Sequence, residues 1–412
     1  MAFGTAGYKE NRRYSIFSNN RQRLTPVDIA ATRSQTHNGS KMARVVVLGS
    51  YGKSLTLFRG AMLREMAARG HDVVACAPEE DAALSASLAE IGVSYESYPL
   101  KRTGLNPLTD LKTLRQLYHL LRRLNPDVVL SYTIKPVIYG SIAARLSGVN
   151  TIAAMVTGLG YAFSGTSPRR RMLSAVAKGL YRTALRRARV VYFQNPDDQA
   201  AFESFKLLNR RTERVLINGS GIDVDQYSQR PLPPEGRCLL VARLLGDKGV
   251  REYAAAAKLL KQRYPEAEFH LIGWIDDNPN AITQTELDQW IAEGTLVYHG
   301  KVDDVRPYLE HASIYVLPSY YPEGTPRTIL EALALGRPIV TADTPGCRET
   351  VRHEANGFLV PPRDVAALAA ALDRLLSDAE LRLRMGRESR ALAEEKYDVR
   401  KVNRQILAAL GL

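Results

Sequence analysis

RVVVLGSYGKSLTLFRGAMLREMAARGHDVVACA, residues 44–77, is the stretch that decides the fold. RVVVLG (44–49) is an unbroken apolar run ending in glycine, the signature of a strand buried on both faces. Leu57–Arg69 then shows apolar residues at helical spacing, and DVVACA (72–77) is a second buried strand. Strand, helix, strand at this spacing predicts two parallel strands joined by a crossover helix.

The alternation continues outward from this unit. Strand-like runs recur at 93–98, 127–132, 151–156, 189–194 and 214–218, with helical patterns at Leu108–Leu124 and Arg169–Arg187. DVDQYSQRPLPPEGR (223–237) interrupts the pattern with three prolines and reads as an interdomain linker. The pattern restarts at 238–243, 268–273, 296–300, 313–318, 338–343 and 357–361, and a helical tail follows from Asp364. The expected class is α/β, with two tandem Rossmann-like doubly wound domains facing across a cleft. Their expected bounds are 42–222 and 223–395, followed by a final helix over 396–412. Residues 1–41 are polar and without periodicity and read as a disordered extension, with Met42 a candidate translation start. Ligands of such sheets bind outside the carboxyl ends of the strands.

The 412 residues are 45% hydrophobic and 24% charged, an ordinary globular composition. Three cysteines without CxxC or metal-type spacing read as free thiols in a reducing compartment. No apolar run reaches the roughly 18 residues of a membrane span, and no signal core opens the chain, so a cytoplasmic protein is expected. Charge is unevenly spread: +4 over 1–40, +13 over 41–222 and −4 over 223–412. A basic first half implies an anionic partner. SPRRRMLSAVAKGLYRTALRRARV (167–190), with Met172, Leu173, Val176, Leu180 and Leu185 as its apolar positions, suits either an anionic membrane surface or an ordinary sheet-packed helix. Nucleic acid fits poorly, because no stacking aromatics alternate with the cations.

Three loops bear on chemistry. GSYGKSLTLFRG (49–60) is not a P-loop, since only two residues separate Gly49 from Gly52. Gly52 still permits a tight turn into a helix whose N-terminus can face an anion, with Lys53 and Arg59 adding charge; the alternative is a plain turn. VARLLGDKG (241–249) sets Arg243 and Lys248 just after a strand, which suits a diphosphate unless both are simply solvated. In YPEGTPRTILEALALG (321–336), Thr325 reads as the N-cap, Pro326 as the first helical residue and Gly336 as the stop. Glu323 and Glu331 flank that helix start, with Glu331 off the apolar face of Ile329, Leu330, Leu333 and Ala334 and beside Thr328. Carboxylates for hydroxyls and cations for phosphates together describe a nucleoside diphosphate sugar. The acidic pairs at 197–198, 276–277 and 303–304 lack the wider ligand set of a metal site, and the histidines do not cluster, so no metal and no cofactor is expected.

ARLLGDKG with Glu323-x7-Glu331 resembles the signature of the retaining glycosyltransferases of family 4, which have the GT-B fold. YTIKPVIYGSIAARLSGV (132–149), VTGLGYAF (156–163), LINGSGID (216–223), GTPRTILEALALGRPIV (324–340) and PGCRETV (345–351) resemble a bacterial subgroup. Its members add a sugar to polyprenyl-diphosphate-linked saccharides in surface polysaccharide assembly, including lipopolysaccharide and exopolysaccharide. The resemblance implies that Arg243 and Lys248 hold the donor diphosphate and Glu323 meets the transferred sugar. It also implies that Gly324, Thr325 and Thr328 hold sugar hydroxyls and phosphate, and that Glu331 takes the ribose hydroxyls. The family commonly has a histidine where this chain has Thr157, which leaves the acceptor's base unassigned; Lys135 is a candidate to orient a phosphate. The fold's last helix usually crosses back to the first domain, and YDVRKVNRQILAAL (397–410) has the amphipathic pattern for it.

The expected activity is transfer of a hexose or N-acetylhexosamine from a nucleotide sugar, with UDP the expected nucleotide, to a lipid-linked saccharide at the inner face of the plasma membrane. The alternatives are a nucleotide-sugar epimerase and a non-catalytic nucleotide-sugar-binding protein of the same architecture. An epimerase would want acid and base side chains in the first domain, and none is evident.

Overall fold

The computed structural model of the chain describes residues 42–101, 106–160, 163, 168–276, 278 and 280–412. The reading of 1–41 as a disordered extension lies outside the described residues, as does Asp277.

Seven parallel strands form the first sheet: β1 (Arg44–Leu48), β2 (Asp72–Ala77), β3 (Val93–Ser97), β4 (Val128–Tyr132), β5 (Thr151–Val156), β6 (Val190–Phe193) and β7 (Glu213–Leu216). Their spatial order is β3-β2-β1-β4-β5-β6-β7. Six parallel strands form the second: β8 (Arg237–Val241), β9 (Glu268–Ile272), β10 (Val297–Tyr298), β11 (Ile314–Leu317), β12 (Ile339–Ala342) and β13 (Gly357–Val360). These run β10-β9-β8-β11-β12-β13. In each sheet the order reverses beside its first strand, between β1 and β4 and between β8 and β11. A doubly wound sheet opens its binding crevice at such a reversal, outside the carboxyl ends of the strands.

Alternation along β1 shows why the strand runs are continuously apolar. Val46 and Leu48 pack into the core on one face of the first sheet, and Val45 and Val47 into the core on the other. Both faces are covered, so every position from Val45 to Leu48 is apolar, and each side chain buried this way contributes about 1.5–3 kcal/mol.

The last helix, Val399–Leu410, packs on the first sheet although it follows the second. Val402, Ile406, Leu407 and Leu410 join the cluster holding Val45 and Val47, and Tyr192 donates from its hydroxyl to the Ile406 carbonyl at 2.8 Å. The chain therefore passes between domains twice, and the passages lie side by side. Ile222 N donates to Tyr397 O at 2.8 Å, and Val399 N donates to Ile222 O at 2.9 Å. A β-carbon on Gly221 would come within 2.6 Å of Val399 Cα, so only glycine admits this approach.

The helical pattern at Leu57–Arg69 is broken in the structure. A short helix α1 (Lys53–Leu57) ends, Phe58 and Arg59 intervene, and α2 runs Gly60–Ala68. Arg59, with φ −122°, caps α2. Periodicity shows an apolar face but not a change of axis within it. The break carries Phe58 toward the second domain, where Arg327 stacks 5.6 Å from its ring, while Arg59 packs 5.2 Å from the Tyr132 ring.

Candidate active site

The carboxyl ends of β8 and β11 build one lip of the cleft. After β8 a 3₁₀ turn (Gly246–Lys248) is closed by Gly249 at φ 76°. A β-carbon there would stand 2.3 Å from the Pro318 carbonyl, so glycine lets this turn press against the loop that follows β11. Lys248 Nζ lies 2.5 Å from Glu323 Oε1, and the Ser319 hydroxyl donates to the same oxygen at 2.8 Å. Arg243 donates to Asp276 at 2.9 Å. Both cations share the Tyr321 ring, Lys248 at 5.3 Å and Arg243 at 6.0 Å from its centroid.

Helix α3 (Arg327–Ala334) begins one residue later than expected, with Pro326 at its cap position and no side-chain cap. Thr325 is not that cap. Its amide donates to Gln194 Oε1 at 3.0 Å and its hydroxyl to Gln194 O at 3.1 Å, both in the first domain. The amides of Arg327 and Thr328 consequently have no acceptor among the described residues. That leaves orphan donors at a positive helix end. One turn on, Glu331 is buried rather than on a solvated face. Its Oε1 accepts from Arg327 Nε at 3.0 Å and from the Tyr227 hydroxyl at 3.2 Å. Burial pushes its pKa above the ordinary carboxylate range, against the pull of Arg327.

The first-domain lip corrects one expectation. The Gly52 amide does not face an open anion site, because it donates to Glu79 Oε2 at 2.8 Å. A carboxylate from beyond β2 already fills that helix start, and only long-range strand pairing could reveal it. Lys53 is exposed and reaches across to Asp303 at 3.8 Å. Lys135 is mostly buried and paired with Asp110 at 2.8 Å. Thr157 contributes its carbonyl, which accepts from the Gly324 amide at 3.1 Å. Arg59 is only 3% exposed and lies 5.2 Å from the Tyr132 ring at the end of β4.

Between the lips the two backbones touch. A β-carbon on Gly158 (φ 116°) would meet Gly324 N at 2.6 Å, and one on Gly324 would meet Gln194 Oε1 at 2.1 Å. Asn195 Nδ2 donates to Glu323 O at 3.1 Å, and Gly160 N donates to Pro322 O at 3.2 Å. Five residues after β5 and β6, Thr157, Gly158, Gly160, Gln194 and Asn195, thus set the backbone on both sides of Glu323. Gln194 and Asn195 are missed by motif reading; their one sequence signal is position, directly after a strand and before Pro196.

A cavity of about 330 Å³ opens here, bordered by Phe58, Arg243, Lys248, Trp274, Lys301, Glu323, Thr328 and Glu331. Lys301 stands 5.4 Å from the Trp274 ring, which is 44% exposed. In each acidic pair one member is an ion-pair partner. Asp197 meets Arg348 at 3.2 Å, Asp276 meets Arg243, and Asp304 meets Arg306 at 2.7 Å. Among the described residues no group of three His, Cys, Asp or Glu is placed to hold a metal ion. The arrangement offers two cations and a helix end to phosphate, two carboxylates to hydroxyls, and one aromatic platform.

Two family models match consecutive parts of the chain: a glycosyl transferase 4-like domain over residues 59–219 and glycosyl transferases group 1 over residues 235–378. The chain is 26% identical over 360 residues to N,N'-diacetylbacillosaminyl-diphospho-undecaprenol alpha-1,3-N-acetylgalactosaminyltransferase of Campylobacter jejuni, a match spanning 84% of this chain and 93% of that one. It is 27% identical over 299 residues to UDP-Gal:alpha-D-GlcNAc-diphosphoundecaprenol alpha-1,3-galactosyltransferase of Escherichia coli, spanning 68% and 74%. Among solved structures, Anabaena HepE in complex with UDP superposes with a TM-score of 0.71 at 21% identity, covering 89% of this chain and 99% of that one. Sucrose-phosphate synthase from Thermosynechococcus elongatus gives 0.72 at 18% identity, covering 88% and 97%. At these identities the structural likeness establishes the fold. The relatives named are transferases, and none is an epimerase.

Proposed function

The chain belongs to the family 4 glycosyltransferases of GT-B fold, and on that premise we propose that it moves a hexose or N-acetylhexosamine from a UDP-sugar to a polyprenyl-diphosphate-linked saccharide, with retention of the anomeric configuration. One observation supports this above the rest. Glu323 and Glu331 bracket an uncapped helix start, and Lys248 and Arg243 stand at the same cavity. A nucleoside diphosphate sugar has hydroxyls, phosphates and hydroxyls again in that sequence.

In this reading Arg243 and Lys248 take the diphosphate and offset the charge on the departing UDP. The amides of Arg327 and Thr328 add the positive end of a helix, so departure needs no metal ion. Glu323, held on Oε1 by Lys248 and Ser319, meets the transferred sugar. Glu331 takes the ribose, and Trp274 with Lys301 receives the base. Gly324, Thr325 and Thr328 line the donor path, with the Gly324 and Thr325 amides already used to fix the loop. Retention follows from attack on the face the UDP leaves. Lys53, Arg59, Lys135 and Thr157 belong to the first domain and to the acceptor side or the phosphates.

The acceptor's lipid places the enzyme at a membrane. No helix among the described residues is long and apolar enough to cross one. The helix Pro168–Leu185 exposes Met172 (67%) and Val176 (48%), and the helix Pro107–Leu124 exposes Leu108 and Leu111 in its first turn. With the excess positive charge of this domain, these suit peripheral docking on the anionic inner face. The names of the Campylobacter and Escherichia relatives, both acting on undecaprenyl-diphosphate-linked sugars, support the acceptor class.

The test is thermal stability with UDP, GDP and their sugars, followed by transfer from the stabilising donor to a lipid-linked acceptor. A ligand at about a hundred times its dissociation constant adds about 2.7 kcal/mol. Stabilisation by UDP and one UDP-sugar is the expected result. No response to any nucleotide would sink the assignment.

A further inference from the structure

The proline-rich stretch 223–237 carries no chemical motif, yet it sends one side chain into the site. Tyr227 is only 8% exposed, and its hydroxyl donates to Glu331 Oε1 at 3.2 Å. The backbone of this tyrosine is fixed. Its amide donates to Asp223 O at 2.9 Å, and Arg390 donates to its carbonyl at 2.8 Å. The same Arg390 nitrogen donates to Ala334 O at 2.8 Å, so tyrosine and helix α3 are tied to one guanidinium. A buried hydroxyl costs the fold unless it is bonded, and phenylalanine would fill this space without that cost.

Arg327 meets the same carboxylate oxygen. Its Nε donates to Glu331 Oε1 at 3.0 Å, and its Nη1 donates to Gly221 O at 3.3 Å and to Ser220 Oγ at 3.4 Å. Its face rests 5.6 Å from the Phe58 ring. Held at edge, end and face, it is a rigid donor. Two donors therefore converge on Oε1, while Oε2 has none among the described residues. Nor is Oε2 sealed from solvent, so it is the oxygen that Glu331 shows to the cavity. The last torsion of a glutamate is otherwise soft. Pinning one oxygen fixes where the other points.

We propose that Tyr227 and Arg327 are positioning residues that turn Oε2 of Glu331 toward the cavity, and that this orientation selects ribonucleotide donors over their 2′-deoxy counterparts. The proposal rests on the transferase reading and deepens it. Oε2 keeps two lone pairs, which match the two neighbouring hydroxyls of a ribose. A deoxy ligand leaves one of them unmet on a largely buried charge, and a site built to bond a hydroxyl rejects the analogue that lacks it. Burial opposes ionisation of Glu331, Arg327 and Tyr227 favour it, and Asp304 adds to the opposition. Tyr315 also bears on Glu331. Burial chiefly holds Tyr315 and Tyr227 far above the ordinary tyrosine range, so both keep their protons near neutral pH.

The experiment uses Tyr227→Phe and Arg327→Lys in the full chain. Calorimetry reads the dissociation constants of UDP, 2′-deoxy-UDP and inorganic pyrophosphate, with UDP repeated across pH 5 to 8. Wild type is expected to prefer UDP to its deoxy analogue by about 10- to 100-fold, the size of a hydrogen bond to a charged acceptor. In Tyr227→Phe that preference should shrink about 5-fold or more, while pyrophosphate binds within about twofold of wild type. The acid limb of UDP binding should move to higher pH, because the ionised carboxylate has lost a donor. Arg327→Lys keeps the charge but not the Nε bond, and should shrink the preference likewise; it serves if the phenylalanine variant does not fold. The proposal is overturned if the preference persists in both variants. It is equally overturned if all three ligands weaken by one factor, since Tyr227 and Arg327 would then support the site only as structure. If wild type binds UDP and 2′-deoxy-UDP alike, the proposal fails while the transferase reading stands. If wild type ignores UDP altogether, the transferase reading is the part that fails, and the proposal falls with it.

Discussion

Lys248 and Glu323 meet at 2.5 Å across two loops of the second domain, with side chains only 11% and 15% exposed. The cation proposed to bind the diphosphate is thus neutralised by the carboxylate proposed to meet the sugar. On that reading a diphosphate entering beside Lys248 competes for its charge and frees Glu323 in proportion toward the sugar, so that donor binding and arming of the carboxylate would be one event.

Lys248→Met should therefore lower kcat by about 100-fold or more, the usual size of a lost contact to developing charge. Glu323→Gln keeps the shape and the Ser319 contact, and should cost kcat more than it costs UDP affinity. Transfer of labelled sugar, with UDP binding in parallel, separates the two. If Lys248→Met kept kcat within about threefold of wild type, the ion pair would have only a structural role.

The glycines at the domain junction make a second prediction. Gly158 and Gly324 approach backbone to backbone, and the Gly324 amide is bound to Thr157 O. A methyl on either glycine forces the loop of Glu323 away from the first domain. At Gly158 it also meets a φ of 116° that side chains resist. Gly324→Ala and Gly158→Ala should each reduce kcat by about 10-fold or more, while UDP, if held mainly by the second domain as proposed, should bind within a few-fold of wild type. Equal losses in kcat and UDP affinity would mean that the loop is displaced as a whole.

How far the sequence led depends on the range of the interaction. The strands stand within a residue or two of the apolar runs, because a strand buried on both faces is a local pattern. β10 is the exception: two residues form, at the sheet edge against β9, where five were expected. Arg243, Lys248 and Glu323 were legible as charged residues placed just after strands. Gly52 was not, because Glu79, 27 residues away, takes its amide. Thr325 looks like a cap and is instead held by Gln194, 131 residues distant. The break at Phe58 and Arg59 was equally hidden, for a hydrophobic pattern continues unchanged through a bend that tertiary contacts impose.

Glu331 should give UDP binding an acid limb. Its pKa is raised chiefly by burial. Only the ionised carboxylate accepts hydrogen bonds from both ribose hydroxyls. Lowering the pH through that raised value protonates it and weakens UDP, at a higher pH than an ordinary glutamate would show. Glu331→Gln should bind UDP about 10-fold more weakly at neutral pH and lose the acid limb. Calorimetric titrations across pH 5 to 8 check this. An unchanged limb in Glu331→Gln would place the titrating group elsewhere.

Asp198 makes the last prediction, on stability. It is 2% exposed, and burial, with Asp197 and Glu349 nearby, pushes its pKa up to about 7 despite a hydrogen bond from Asn195. Asn195 in turn donates to Glu323 O, so this aspartate supports the junction beneath the site. An unfolded aspartate titrates near pH 3.9. Between roughly pH 4 and 7 the folded state holds a proton that the unfolded state has lost. Stability therefore falls as the pH rises through that window, by up to roughly 4 kcal/mol. Its contribution is fully present below about pH 4 and gone above about 7. Asp198→Asn removes the proton dependence but keeps a carbonyl for Asn195. Relative to wild type, it should gain stability at pH 8, and the gain should shrink steadily toward pH 5. Denaturant unfolding of both proteins at each pH measures the difference directly. A difference that stays flat from pH 5 to 8 would show that Asp198 is ionised in the folded protein throughout, and that the Asn195 bond and the helix start it sits in outweigh its burial.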